Sequence, residues 1–521
     1  DKANLGTITN FSSYYPEINK SFKNIFDDLS PSGIIKNVDL NWQKAPSFIE
    51  GLVLSMNTEK VNLNTFDNIP KIQNLSAEVN IERGNGSLVI DSNELIIEQS
   101  SFFREPLKLN QVNGTINWLD SDIEFINLEI INDDFVSNLN GIYSSSDLNG
   151  DRIDLTVKLP RVDISRLSSY YPKSIGEAGL RWLDTSLLKG TAQNTQIAIS
   201  GNMRDFPFVD STNTPDPSKG TFEVYSSIMD SSIEYGTDWP IVEDFDLAVE
   251  VMGSTITLKS NSGNIINNNI VAFEANIDDF TSDKPVLNAG LKTNSPLDKM
   301  ILAINKSPIR KAMRGISDSM EGSGQGALDV SLDIPLSDPD AMIFRGEYIF
   351  KEASMKNSDI DLPLMTNING SLLFKNNNVS LEKGNAKLFN QPLNFSLRND
   401  AEKTIIYLNG LFDSDLTLQE FDSDWGEKIK GKTNWKAEYI LAEDSADFSF
   451  ESDLLGLSVK SFEFFNKDKD DPLPLRILSK KDDSSNNTID FSYGEIINAK
   501  LKINQKSNIK KGYIGINNHG S

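Results

Sequence analysis

The sequence has no cysteine, a single histidine (His519) and no long apolar run. Without cysteine there is no disulfide framework, no thiolate chemistry and no zinc–cysteine site. One histidine argues against Ser-His-Asp and multi-histidine metal sites. No segment approaches the roughly 20 apolar residues that a membrane-spanning helix needs. We therefore predict that the chain is not an enzyme, with no catalytic residue, no metal site and no cofactor.

Basic residues are scarce as well: 50 Lys and Arg stand against 75 Asp and Glu, which gives a formal charge of −25. A field of this sign repels phosphates, so we expect no nucleic-acid partner. It also disfavours contact with anionic lipid surfaces through basic patches. At 521 residues the chain is too long for one compact core. It forms either several domains or one elongated, repetitive body.

Strict alternation of apolar and polar residues recurs at 152–159, 327–334 and 446–451. This period of two predicts antiparallel strands with one dry and one wet face. Asn-Gly pairs predict tight hairpin turns, and they occur at 85–86, 113–114, 149–150 and 369–370. A related strand also follows a proline lead-in at Pro70, Pro106, Pro240 and Pro363. These quasi-repeats favour one repetitive sheet.

A second repeated unit places a short amphipathic helix before a strand. Its first copy carries Ile18, Phe22, Ile25, Phe26 and Leu29 on one helical face. The second carries Ile175, Trp182, Leu183 and Leu187, with a capping box at Ser174 and Glu177 and a predicted helix stop at Gly190. The third is interrupted at Pro308, and the fourth spans 422–440. We predict that the following strands start at Gly33, Gly190, Gly326 and Gly431.

Two apparent binding features have a structural interpretation. Residues 426–433 match the phosphate-loop pattern G-x-x-x-x-G-K-T, but an alternating strand follows where the motif requires a helix. We interpret the match as part of the fourth helix-to-strand unit. Trp182, Trp239 and Trp425 could stack on a ligand, but such residues more often anchor a helix or strand end to a core.

The segment 167–208 resembles the YhdP family of AsmA-like envelope proteins of Gram-negative bacteria, which is related to TamB and YdbH. The matching features are Leu167-x-x-Tyr-Tyr-Pro172, Leu183-Asp184, Lys189-Gly190 and the run Gly201-Asn-Met-Arg-Asp-Phe-Pro-Phe208. The resemblance continues through 220–251, and the order of these units covers most of the chain.

This resemblance implies a bridge across the periplasm, whose curled sheet has an apolar inside and carries phospholipid from the inner to the outer membrane. The implied partners are phospholipid acyl chains, together with both membranes through parts outside this sequence. The implied location is the periplasm, with an N-terminal inner-membrane anchor that is also outside this sequence. The family has no known catalytic motif to transfer.

The predicted fold is mainly β: an elongated, curled antiparallel sheet, an open trough of quasi-repeats punctuated by short amphipathic helices. We predict continuous segments at 1–169, 170–295, 296–417 and 418–521. The predicted groove-lining residues are Ile153, Leu155, Val157, Ile197, Ile199, Leu328, Val330, Leu332, Phe448 and Phe450.

The alternating pattern leaves two other functions open. An assembly factor for outer-membrane proteins would use open sheet edges to receive strands. A structural spacer between the membranes would have a closed, dry sandwich core. Apolar positions that line a groove and those that fill a sandwich alternate identically in sequence.

Overall fold

The fold is described from a computed structural model of the chain. It describes residues 2–5, 27–46, 50–66, 69–146, 148, 150–171, 173, 177–313, 316–358, 362–376, 378–400, 403–418, 424–442, 446–461, 465–481, 487–503 and 509–517. The predicted first helix at 18–29 lies mostly outside these residues, as do Ser174 of the predicted capping box and Asn149 of one predicted turn.

The structure is one 29-stranded antiparallel sheet with a few short helices, as predicted. The strands are β1 (Lys2–Asn4), β2 (Ser32–Trp42), β3 (Leu52–Leu63), β4 (Lys71–Glu82), β5 (Asn85–Glu98), β6 (Leu107–Leu119), β7 (Asp122–Ile131), β8 (Phe135–Ser144), β9 (Arg152–Asp163), β10 (Leu187–Asn202), β11 (Gly220–Ile233), β12 (Val242–Met252), β13 (Thr255–Ser260), β14 (Asn264–Ile265), β15 (Asn268–Ile277), β16 (Val286–Asn294), β17 (Met320–Pro335), β18 (Ile343–Asn357), β19 (Leu362–Lys375), β20 (Asn378–Leu388), β21 (Gln391–Asp400), β22 (Lys403–Asp413), β23 (Ile429–Leu441), β24 (Ala446–Ser452), β25 (Leu457–Val459), β26 (Leu475–Lys481), β27 (Asn487–Tyr493), β28 (Ile497–Ile503) and β29 (Ile509–Ile516).

Almost every strand pairs with the next strand along the chain. At two positions a strand is split: β13 and β14 both pair with β12, and β24 and β25 both pair with β23. At about 4.8 Å per strand, the path from β1 to β29 measures about 125 Å. The sheet continues through the predicted segment boundaries, because β9 pairs with β10, β16 with β17 and β22 with β23. The four-segment division itself stays a prediction.

Bulges inside the strands bend the sheet. Register shifts interrupt about half of the described strand pairs, and a backbone amide that a bulge frees can be taken by a side chain of the next strand. The Lys60 N–H donates to Ser76 Oγ at 3.1 Å, and the Ser76 N–H to Ser92 Oγ at 2.8 Å. The Asp230 N–H donates to Asp246 Oδ1 at 2.9 Å. Short polar side chains thus keep the bent strands hydrogen-bonded.

The predicted Asn-Gly turns are wrong at the three described pairs. The pair at 85–86 begins β5, after a turn at Arg83-Gly84, and the pairs at 113–114 and 369–370 lie inside β6 and β19. Gly114 has a φ of 138° and Gly370 of 153°. Gly114 and Gly370 therefore occupy irregular points within strands. A rule based on the Asn-Gly pair alone does not distinguish such a point from a hairpin turn.

The helices described are α1 (Glu177–Ser186), α2 (Leu297–Asn305), α3 (Ile309–Ala312) and α4 (Ser414–Thr417), with 3₁₀ turns at Ile164–Ser169, Met203–Asp205, Ile316–Ser319, Pro339–Ala341 and Asp424–Glu427. The four α-helices follow β9, β16 and β22 and precede β10, β17 and β23, so all lie along one long edge, here called the helix edge. The break at Pro308, the N-cap of α3, is confirmed.

The predicted strand starts need correction. Helix α1 ends at Ser186 and β10 begins at once at Leu187, so Gly190 is inside the strand rather than at the helix stop. Strand β17 begins at Met320, before Gly326, while Gly33 and Gly431 lie inside β2 and β23. Gly190 and Gly431 have φ values of 141° and 117°, which again mark irregular points in the strands.

The sheet curls strongly. Trp239, between β11 and β12 at the helix edge, packs on Phe344 at the opposite edge of β18, with ring centroids 5.4 Å apart. In a flat sheet, β12 and β18 would be about 24 Å apart. Trp239 is three residues from the start of β12, a reach of about 10 Å. Curvature of the sheet must therefore remove the rest of the separation between β12 and β18.

The sheet is also open to solvent over much of its area. The accessible surface is 29748 Å², whereas a compact monomer of this mass would expose about 19,000 Å². The convex face carries cross-strand ion pairs between exposed side chains, such as Lys292–Asp329 at 3.0 Å and Glu321–Lys356 at 2.8 Å. The apolar face is therefore the concave one.

Candidate functional site

The candidate site is the apolar concave face of the sheet. Direct cross-strand partners form a row on this face from β3 to β11 that is apolar at every position except one glycine: Met56, Val79, Leu88, Ile116, Phe125, Gly141, Leu155, Ile199 and Phe222. The alternation seen in sequence and the register of the strands together produce one continuous apolar groove.

Five predicted lining residues lie together in what we call the open stretch, the concave face of β9 and β10. Val157 opposes Ile197, and Leu155 opposes Ile199. Ile153, Leu155, Val157, Ile197 and Ile199 are all half-buried, neither exposed nor enclosed. Their outer-face neighbour Asp154 is exposed. The floor of the groove here is apolar and still reaches solvent.

The other five predicted residues lie further along the same face. Leu328, Val330 and Leu332 on β17, and Phe448 and Phe450 on β24, are half-buried and pack against one large apolar cluster. The structure thus brings the ten residues onto one face but not into one pocket. Their role as lipid-contacting residues stays a prediction.

The cluster beside β17 is covered by helix α2, and we call β17–β22 the covered stretch. Leu297, Met300, Ile301 and Ile304 of α2 point into it, at the i, i+3, i+4 and i+7 positions of one helical face. Tyr348 is 1% exposed and its hydroxyl donates to the Ser295 carbonyl oxygen at 2.8 Å, which fixes the start of α2 over β18. Burial raises the pKa of the Tyr348 phenol, so it remains a neutral donor.

Free space differs along the groove. A cavity of about 400 Å³ lies beside β23, between residues that include Phe412, Trp435, Phe450, Leu457 and Tyr493. The cavity between α2 and β18–β22 is about 110 Å³. Neither lining contains a charged side chain. Both cavities suit hydrocarbon, and the one beyond α2 has the more room.

Aromatic rings lie flat on the floor where the neighbouring strand has glycine. Trp435 opposes Gly410 and Phe395 opposes Gly384. A Cβ on Gly410 would come within 2.3 Å of the Trp435 ring, and one on Gly384 within 2.4 Å of the Phe395 ring. Glycine at these positions lets a large ring cover the backbone without rising into the groove.

Sequence reasoning identified Trp239 as an anchor but missed what it anchors. Its ring packs between Tyr235, 5.8 Å away, and Phe344, 5.4 Å away. The side chains of Trp182 and Trp425 lie outside what the structure describes. The phosphate-loop match at 426–433 includes the first residues of β23, in line with its interpretation as a helix-to-strand unit.

Among the described residues, no three or more Asp, Glu, His or Cys side chains form a group that could hold a metal ion. Among the same residues, no helix combines the length and apolarity needed to cross a membrane. The distinguishing feature of the site is therefore its continuous hydrocarbon surface.

Comparison with known proteins agrees with this geometry. The family model described as YhdP protein matches residues 1–521. The intermembrane phospholipid transporter YhdP of Escherichia coli (strain K12) is 23% identical over 352 residues, which cover 66% of this chain and 27% of that protein. The chain thus matches about a quarter of the length of this curated relative. No solved structure matches the chain. The chain belongs to the YhdP family.

Proposed function

We propose that this chain is a segment of a periplasm-spanning bridge that carries phospholipid between the inner and outer membranes, with acyl chains in the concave groove. The observation that carries the proposal is the row from Met56 to Phe222, which is apolar except at Gly141, passes through Leu155 and Ile199 of the open stretch and is half-buried there. In this proposal the bridge makes and breaks no covalent bond. The same proposal places the chain in the periplasm.

Physical chemistry supports acyl chains as the ligand. Burial of hydrocarbon contributes about 0.8 kcal/mol per methylene and needs no directional contact. A chain can therefore move along a uniform apolar floor without crossing large barriers, while its headgroup stays in water at the open mouth. The convex face, with ion pairs such as Lys292–Asp329, is not suited to such a ligand.

The test is photo-crosslinking in Gram-negative cells that express the intact protein. A photo-reactive amino acid replaces Leu155 in the open stretch, and the matched control replaces Asp154, its exposed neighbour on the outer face. We expect phospholipid adducts, identified by mass spectrometry, at position 155 and not at position 154.

Other outcomes would support the alternative functions. Adducts with unfolded outer-membrane protein at position 155 would favour an assembly factor. Crosslinks confined to the chain itself would favour a structural spacer, and either result would overturn the lipid proposal for this segment. The half-buried state of Ile153, Leu155 and Val157 supports the lipid outcome, because a sandwich core would enclose them.

A further inference from the structure

We propose that residues 234–241, here called the latch, close the mouth of the groove and must open for lipid to pass. This inference rests on the proposed function. The latch connects β11 to β12 at the helix edge, and Phe344 lies at the opposite edge of β18. The contact between Trp239 and Phe344 therefore joins the two edges of the groove.

Side chains alone make this closure. Besides the ring contact, a Cβ placed on Gly236 would lie 3.8 Å from Met342 Cε, beside the start of β18. In the part of the chain that the structure describes, no backbone hydrogen bond connects the latch to residues 336–344. A strand ladder would need many bonds broken to open, whereas this contact needs only two apolar surfaces to separate.

The latch is built to stay attached at one end. Tyr235 packs into the cluster formed by β11, β12 and β15, and burial raises the pKa of its phenol. Trp239 reaches across from it. Between them Asp238 has a φ of 63°, an irregular turn, and the two rings remain in contact with centroids 5.8 Å apart. Tyr235 is thus the anchor and Trp239 the movable contact.

Lipid cannot pass beneath the closed latch as the groove stands. The inward side chains there are nearly enclosed: Phe245 is 3% exposed, Ala275 1% and Ile334 1%. A phospholipid also carries a polar headgroup, which has to remain in water or lose its hydration. Where the two edges touch, the headgroup has no open mouth to follow. Passage from the open stretch to the 400 Å³ cavity therefore requires separation of Trp239 from Phe344.

The test locks the latch and reads lipid on both sides of it. Cysteine replaces Gly236 and Met342 in the intact protein, and a short bis-methanethiosulfonate reagent, which reductant cleaves, joins them. This chain contains no cysteine of its own. Each cell also carries a photo-reactive residue at Leu155, on one side of the latch, or at Phe450, on the other. The two single-cysteine variants control for the substitutions.

A matched lock that does not cross the groove uses Ala248→Cys and Lys259→Cys, exposed direct partners on β12 and β13. With the 236–342 lock we expect phospholipid adducts to fall about tenfold at one or both positions, because the open state is removed. Reductant should restore them, and the 248–259 lock should leave them unchanged.

Adducts unchanged at both positions under the 236–342 lock would show that the latch is a permanent brace, and would overturn the inference. Equal losses with the 248–259 lock would overturn it as well, since the effect would not depend on crossing the groove. Absence of lipid adducts at both positions before any lock would contradict the proposed function instead. The two failures are therefore distinguishable.

Discussion

The open stretch at β9–β10 and the covered stretch at β17–β22 are built from the same alternating pattern, but their apolar side chains differ in burial. On β9, Ile153, Leu155 and Val157 stay half-buried. In the covered stretch, Ala353 and Ile368 are fully enclosed, at 0% exposure. The difference comes from what lies over each floor, since α2 covers the second and not the first. The strand pattern decides which face of the sheet is apolar, and the segments that connect the strands decide how far that face is covered.

The largest expected effect is a difference between the two stretches in how much a substitution lowers local stability. Tyr348→Ala should lower the free energy of local opening of β18 by about 3–5 kcal/mol, because a fully buried ring is lost and the Ser295 carbonyl loses its donor. Leu155→Ala, in the open stretch, should lower the value for β9 by about 1 kcal/mol. Native-state hydrogen exchange measures both. Equal losses would mean that the two floors are equally enclosed.

A smaller effect tests whether α2 rests on the sheet. A Cβ on Gly322 of β17 would lie 2.7 Å from Leu297 Cγ and 2.8 Å from Ile301 Cδ1. Gly322→Ala should therefore push α2 away from the sheet and lower the free energy of unfolding by about 1–3 kcal/mol. Gly290→Ala on β16 is the control, because its nearest atom is 3.8 Å away, and it should change stability by less than about 0.5 kcal/mol. Urea unfolding compares the two. A neutral Gly322→Ala would contradict the close packing of α2 on β17.

The smallest effect concerns α1, at the helix edge beside the open stretch. Arg104 donates two hydrogen bonds to Asp184 of α1, both at 3.0 Å, and this holds the pKa of the Asp184 carboxyl below its usual range. This ion pair stabilises α1 at pH values above the ordinary aspartate pKa of about 3.9, and the stabilisation is lost as the pH falls through the lowered pKa. Asp184→Asn should therefore speed exchange in α1 slightly at pH 7. The variant and the parent should converge in acid, and a difference that persists there would assign the effect to packing.

Sequence reasoning succeeded where one rule acts locally and failed where neighbours decide. The alternation at 152–159 and 327–334 predicted β9 and β17, because side chains must alternate across any strand. The Asn-Gly pairs at 113–114 and 369–370 misled, since glycine at positive φ serves a bulge as well as a turn. Gly190 misled similarly, as α1 passes directly into β10. Trp239 gave no local signal of its partner, which lies 105 residues later.

The sequence by itself determined an antiparallel sheet with one apolar face, because the period of two and the absence of long apolar runs allow little else. It also determined that the helices come between strands, at breaks such as Pro308. Tertiary structure alone decided that these helices share one edge, that α2 covers the floor beside it, and that Trp239 joins the two edges. Those features depend on the summed curvature of many strands, each bent at its own bulge, and no local pattern encodes that sum.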